Sequence, residues 1–116
     1  MIIAISVKEE KKDSKLDTRF GRASFFYFYD TEKTCGFFQN NQQNINAAHG
    51  AGIQAAQNVA KNNVDVLLTE NVGPKAFRVL EGSRIKVYEA SSHLTIDQAL
   101  IEFEAGKLPL LIEANQ

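Results

Sequence analysis

Residues His49 to Thr69 read HGAGIQAAQNVAKNNVDVLLT, and the periodicity changes midway. In the first part Ile53, Ala56 and Ala60 fall at i, i+3 and i+7, the narrow apolar stripe of a helix that packs closely on a sheet, and they predict a helix from His49 to about Asn62. The second part, Val64 to Thr69, is nearly continuous in apolar side chains, as parallel strands are when helices cover both faces. The same unit recurs downstream. Pro74 after Gly73 suits a first helical position, where a missing N–H costs nothing, and Ala76, Phe77 and Leu80 carry a stripe that Gly82 should end. Ile85 to Tyr88 reads as the next strand. Thr95 with Gln98 then forms a capping box ahead of Ile96, Ala99, Leu100 and Phe103, with Gly106 as the stop.

Upstream, Ile2 to Val7 is a short β-branched run suited to a buried strand, followed by the charged loop Lys8 to Asp13. Ser24 to Tyr29 and Thr34 to Phe38 flank the polar residues Asp30 to Lys33 and read as a hairpin. Gln39 to Asn46 reads as a loop, although its amides also suit a short strand extension. The order is therefore strand, strand, strand, helix, strand, helix, strand, helix: an α/β domain with a mixed sheet and right-handed crossovers. With strand one pointing up, only strand two points down. The loop Lys8 to Arg22, the start of the first helix, the turn Glu70 to Lys75 and the segment Ala90 to Leu94 then share the upper rim, where open α/β sheets bind ligands. Cys35 falls at the opposite end.

The chain has 116 residues, 44% hydrophobic and 23% charged, which suits a single domain over residues 1–116 with its own core. Its formal net charge of -1 supplies no global basic field for nucleic acid or anionic membrane. No apolar run approaches the roughly 20 residues needed to span a bilayer, and the N-terminus lacks the pattern of a signal peptide, so a cytoplasmic location is expected. The one cysteine, Cys35, cannot form an internal disulfide and reads as a plain core or surface thiol.

The rim nevertheless carries chemistry. Two helices begin there with small residues, at His49 to Gly52 and Asn71 to Lys75, so backbone N–H groups and positive dipole ends would face one space. Arg19 and Arg22 bracket Phe20 and Gly21, Lys75 adds a third cation, and His49 adds a donor or, as neutral imidazole, a metal ligand. An anion suits that space. The plainer alternative has the glycines serving turns and helix packing and the arginines solvated or in structural contact with Asp17 or Asp13. His93 lies in the polar run Ser91 to His93 before the capping box and ranks below His49 as a site residue.

The stretches LDTRFGRASFFYFYD (Leu16 to Asp30), HGAGIQAAQNVAKNNVDVLLT, NVGPKAFRVLEGSRIKVYEA (Asn71 to Ala90) and ALIEFEAGKL (Ala99 to Leu108) resemble, in order and spacing, the dinitrogenase iron-molybdenum cofactor biosynthesis family. The resemblance implies a three-layer α/β/α, ribonuclease H-like domain with a five-stranded mixed sheet. It also implies binding or carriage of metal-sulfur clusters: nitrogenase members carry iron-sulfur-type precursors of the molybdenum cofactor, and a related protein holds a mixed molybdenum-copper sulfide cluster. Nitrogenase carriers commonly place a histidine implicated in holding the cluster where this chain has Arg19, which argues against direct ligation from that position. Glu70 and Lys75 stand where relatives often have glycine and asparagine; the first would weaken an anion site and the second strengthen it.

Three functional classes can be weighed. A two-metal nuclease of the ribonuclease H-like kind needs a carboxylate on strand one, and Ile2 to Val7 has none. Nucleophile elbow, phosphate-binding loop, paired zinc-ligand spacing and dinucleotide fingerprint are all missing, so catalysis is not expected. A permanent iron-sulfur cluster normally takes several cysteine thiolates, so a carrier would hold a preassembled, anionic iron-sulfur or molybdenum-containing cluster by charge and backbone N–H groups. Its expected residues are Arg19, Phe20, Gly21, His49, Gly50, Asn71, Gly73 and Lys75, with His49 the candidate metal ligand, and its partners are proteins that deliver or receive the cluster. The third class is an interaction or regulatory module, in which Phe25, Phe26, Phe28 and the segment Asn40 to Asn46 serve self-association or a partner; a monomer or weak homodimer is expected. Alternation places these aromatics on both faces of a covered sheet, where packing alone accounts for them.

Overall fold

The computed structural model describes residues 1–42 and 50–116. In chain order the elements are β1 (Ile2–Val7), β2 (Phe25–Asp30), β3 (Cys35–Asn40), α1 (Ala51–Lys61), β4 (Val66–Thr69), α2 (Pro74–Gly82), β5 (Lys86–Glu89) and α3 (Ile96–Glu104). The sheet order is β3-β2-β1-β4-β5. Strand β2 is antiparallel to both β1 and β3, and β1, β4 and β5 are parallel, so the mixed sheet and its directions are those expected.

Alternation sorts the strands onto two cores. Ala4, Phe26, Phe28, Leu67 and Val87 face α1 and α2, meeting Ala55, Ala56, Val59, Ala76, Phe77 and Leu80. Ile3, Ile5, Val7, Tyr27, Val66 and Leu68 face the other way, against Ile96, Ala99 and Leu100 of α3. Two helices on one face and one on the other make the three-layer α/β/α arrangement. Every one of β1's residues from Ile3 to Val7 is fully buried, which is why the strand reads as a continuous apolar run.

Helix ends follow local chemistry. Thr95 Oγ1 accepts the Gln98 N–H at 3.3 Å and Gln98 Oε1 accepts the Thr95 N–H at 2.9 Å, so the expected capping box forms at α3. Helix α2 ends at Gly82 as expected, but Gly82 is not its left-handed residue; that position belongs to Arg84, at φ 61°. Arg84 N–H donates to Glu81 O and Ile85 N–H to Leu80 O, the paired bonds of a Schellman ending, with Leu80 and Ile85 both buried.

Two strand boundaries and one helix face differ in detail. Strand β3 continues through Gln39 and Asn40, because register with β2 carries on to Phe25 opposite Asn40. The buried face of α1 is Ala51, Ala55, Ala56 and Val59, whereas Ile53 lies towards the rim. Strand β4 begins at Val66; Asp65, just ahead of it, accepts the Ile2 N–H on its carboxylate at 2.8 Å. Beyond α3, residues 109–111 pair antiparallel with the outer edge of β5, an addition absent from the expected plan. Among the described residues no helix is long and apolar enough to cross a membrane.

Candidate functional site

The first loop reaches the rim by crossing the sheet's upper end. Its near part is tied to the α3 side: Leu16 pairs with Val7, the Asp17 N–H donates to Ser6 O, and Lys15 bridges Thr95. Its far part is tied to the turn after β4. Arg19 pairs with Asn71, the Phe20 N–H donates to Asn71 O at 2.9 Å, and Asn71 Nδ2 donates to Thr18 O at 2.8 Å. Under this crossing the buried hydroxyls of Ser6 and Thr69 join the ends of β1 and β4 at 3.0 Å.

Beyond Phe20 the loop meets the two helix starts. A Cβ on Gly21 would lie 2.7 Å from Gly52 Cα, and one on Gly52 would lie 3.1 Å from Ala76 Cβ, so loop, α1 and α2 stack with hardly a side chain between them. Small residues are needed because backbone approaches backbone. Asn41, fully buried, clamps the loop from below: its Nδ2 donates to Ala23 O at 2.9 Å and Gly21 O at 3.2 Å.

This stacking leaves an open cavity of about 410 Å³ between the starts of α1 and α2. Arg19, Arg22 and Lys75 line it, together with Gly50, Gly52, Ile53, Gly73 and Gln116, and no carboxylate side chain is among its described lining residues. Gly50, in the left-handed region at φ 74°, and Gly73, extended, cap the two helices without a side-chain hydrogen bond. Both helix starts therefore turn positive dipole ends towards the cavity. Among the described residues neither Arg19 nor Lys75 has an acidic partner; Asp17 meets Arg19 only through the latter's backbone N–H, at 3.4 Å. Three cations and two dipole ends, with no acidic side chain in the described lining, make a space for an anion.

The structure thus brings Arg19, Gly21, Gly50, Gly73 and Lys75 together at one cavity. Phe20 is beside it in sequence but turns into the core, 1% exposed, with its ring 5.3 Å from that of Phe26. Asn71 holds the turn through its bonds to the first loop and lines a different cleft, on the α3 side. His49 lies outside the described residues. His93 is exposed in the turn before α3, its N–H on Ser91 Oγ. Glu70 does not weaken the anion site as expected: its carboxylate accepts the Ser92 N–H at 2.6 Å and lies with Glu89 and Glu102 in the α3-side cleft. Cys35 is exposed at the start of β3, level with Asp30 and Ile2 at the sheet's other end. Among the described residues no three His, Cys, Asp or Glu side chains assemble as a metal-binding group.

Two contributors had no usable signal in the sequence. Asn41 sits in an amide run with nothing to distinguish it from Asn40 or Gln42, and Gln116 lies far from the rim segments along the chain. Both depend on contacts between distant residues.

Fold and rim together define a small three-layer α/β/α domain with an open cavity beyond the parallel strands. The chain belongs to the dinitrogenase iron-molybdenum cofactor family, whose model matches residues 1–106. It is similar to the orange protein of Desulfovibrio gigas, solved in its apo form: 38% identity, 99% of this chain and 96% of that one, TM-score 0.95. A NifB-type protein of Thermotoga is 31% identical over 99% of this chain and 97% of its own, with a TM-score of 0.87. An uncharacterized protein of Methanocaldococcus jannaschii is 32% identical over 100 residues, 83% of this chain and 82% of that one.

Proposed function

We propose that this protein binds and carries a preassembled, anionic metal-sulfur cluster, or a precursor of one, in the rim cavity, without catalysing a reaction. The observation that carries the reading is the cavity's charge: Arg19, Arg22 and Lys75 around two helix starts with glycine N-caps, with no carboxylate side chain in the described lining, in a chain of net charge -1. A metal sulfide held this way needs no thiolate from the protein, which suits a chain whose one cysteine sits at the far end of the sheet. Family membership in the iron-molybdenum cofactor group supports the choice of ligand class. His49 is a candidate direct ligand, and proteins that deliver or receive the cluster are the expected partners.

The test is anaerobic titration of the metal-free protein with tetrathiomolybdate and with a preassembled iron-sulfur cluster, followed by absorbance. Arg19→Ala and Lys75→Ala should each weaken binding roughly tenfold, the scale of one charge-assisted contact. His49→Ala should weaken it if the imidazole ligates, and Cys35→Ala should leave it unchanged. Wild-type protein that binds neither probe, or binding that vanishes in Cys35→Ala, would refute the carrier reading. One observation favours a second reading, an interaction or regulatory module: Phe37, on edge strand β3, is 53% exposed. Self-association through that edge would make the measured mass depend on dilution.

A further inference from the structure

We propose that the segment following α3, residues 107–116, is a working part of the rim cavity, with Asn115 the residue that positions it; the proposal rests on the cavity being a binding site. The family model ends at residue 106, just ahead of this segment. It first runs along the free edge of β5, where the Glu89 N–H donates to Pro109 O and the Leu111 N–H to Val87 O. Leu111 and Ala114 then pack, partly buried, against the core beneath α1 and α2. That path returns the chain to the turn after β4.

There Asn115 behaves as one more strand residue. Its Oδ1 accepts the Val72 N–H at 2.8 Å, its Nδ2 donates to Glu70 O at 2.8 Å and to Glu89 Oε2 at 3.3 Å, and its own N–H donates to Val72 O. The turn it grips is the one that Asn71 fastens to the first loop from the other side. Gly73 and Lys75 follow directly, so the aim of α2's start is set by two asparagines pulling on one short turn. Gln116, next to Asn115, lines the cavity itself. Whatever occupies the cavity therefore stabilises the docked segment, and docking of the segment raises affinity by the same factor.

Asn115 is exposed, so its substitution should leave the fold intact, and the amide resonances of β2 and β3 report whether it does. In ligand-free protein, Asn115→Ala should shift the amide resonances of Val72, Gly73, Lys75 and Ala76 while those of β2 and β3 stay in place. The same variant should bind tetrathiomolybdate about fivefold more weakly, the scale of one net hydrogen bond. In the wild type, the same probe should slow hydrogen exchange at Val72. Rim resonances that do not move, or an unchanged affinity in a wild type that binds, would overturn the positioning role. If the wild type binds no tetrathiomolybdate, the carrier reading falls for that ligand, and the ligand-free resonances alone decide whether Asn115 positions the turn.

Discussion

Gly21→Ala is the substitution that probes the rim most directly. The added Cβ would stand 2.7 Å from Gly52 Cα, 2.8 Å from Gly52 N and 3.3 Å from Ala51 C. Carbon atoms in good contact sit about 3.5–4.0 Å apart, so loop and helix must separate by roughly 1 Å, and the obstacle is backbone that has no other rotamer. Overpacking of this kind costs about 1–3 kcal/mol. Gly21 has no left-handed φ, so alanine also restricts the unfolded chain and offsets about 0.4–1 kcal/mol of that cost. The net loss is about 1–2 kcal/mol, or roughly 4–8 °C in Tm for a domain of this size. Urea unfolding and calorimetry on Gly21→Ala and on Gly82→Ala give the comparison. Gly82 is helical, and a methyl group there would meet nothing within 4 Å, so its alanine should stabilise by about 0.5–1 kcal/mol. Tetrathiomolybdate affinity should fall in Gly21→Ala and hold in Gly82→Ala. A Gly21→Ala protein as stable as the wild type would show that loop and helix are not packed backbone to backbone, and that the cavity does not owe its shape to that stacking.

Arg84→Gly should stabilise the protein by up to about 1 kcal/mol, because Arg84 occupies a left-handed position that glycine adopts without a Cβ penalty; a lower urea midpoint would contradict this. Thr95→Ala removes the side-chain half of the reciprocal bonding at the start of α3 and should cost about 1 kcal/mol, read from the same unfolding curves. Asp30 accepts the N–H groups of Lys33 and Glu32 in the hairpin turn, and chiefly the Lys33 bond holds its carboxyl below the ordinary value of 3.8. A depressed folded-state pKa contributes stability that is present above the unfolded value and lost as pH falls through the folded one. Stability measured from about pH 4 downwards should therefore fall less steeply in Asp30→Asn than in the wild type, and equal slopes would discount the turn bond.

Much of the architecture was legible because it is written in local pattern. The run Val64 to Thr69, the Thr95 and Gln98 pair and Pro74 after Gly73 each satisfy a requirement of one strand or one helix end, and directions followed from counting connections. The helix stop at Gly82 was legible too, but not the residue that takes the left-handed position: Leu80 and Ile85 both bury, and the ending that joins them puts Arg84 there. The rim's residue types were also legible. Their division of labour was not, since Phe20, Gly21 and Asn71 are neighbours of the same site but one fills the core, one permits a backbone contact and one fastens a turn.

Sequence by itself determined the α/β class, the order of elements, the parallel core of the sheet and the gathering of Arg19, Gly50, Gly73 and Lys75 at one end, because periodicity, caps and connection rules act over a few residues. Tertiary structure alone decided that Glu70 turns its carboxylate away to Ser92, that Asn41 clamps the first loop, and that Asn115 and Gln116 return to the cavity from the far end of the chain. Those are pairings between residues about 20 to 45 positions apart, and which amide or carboxylate finds which backbone group depends on the packed sheet and helices that bring them within hydrogen-bond reach.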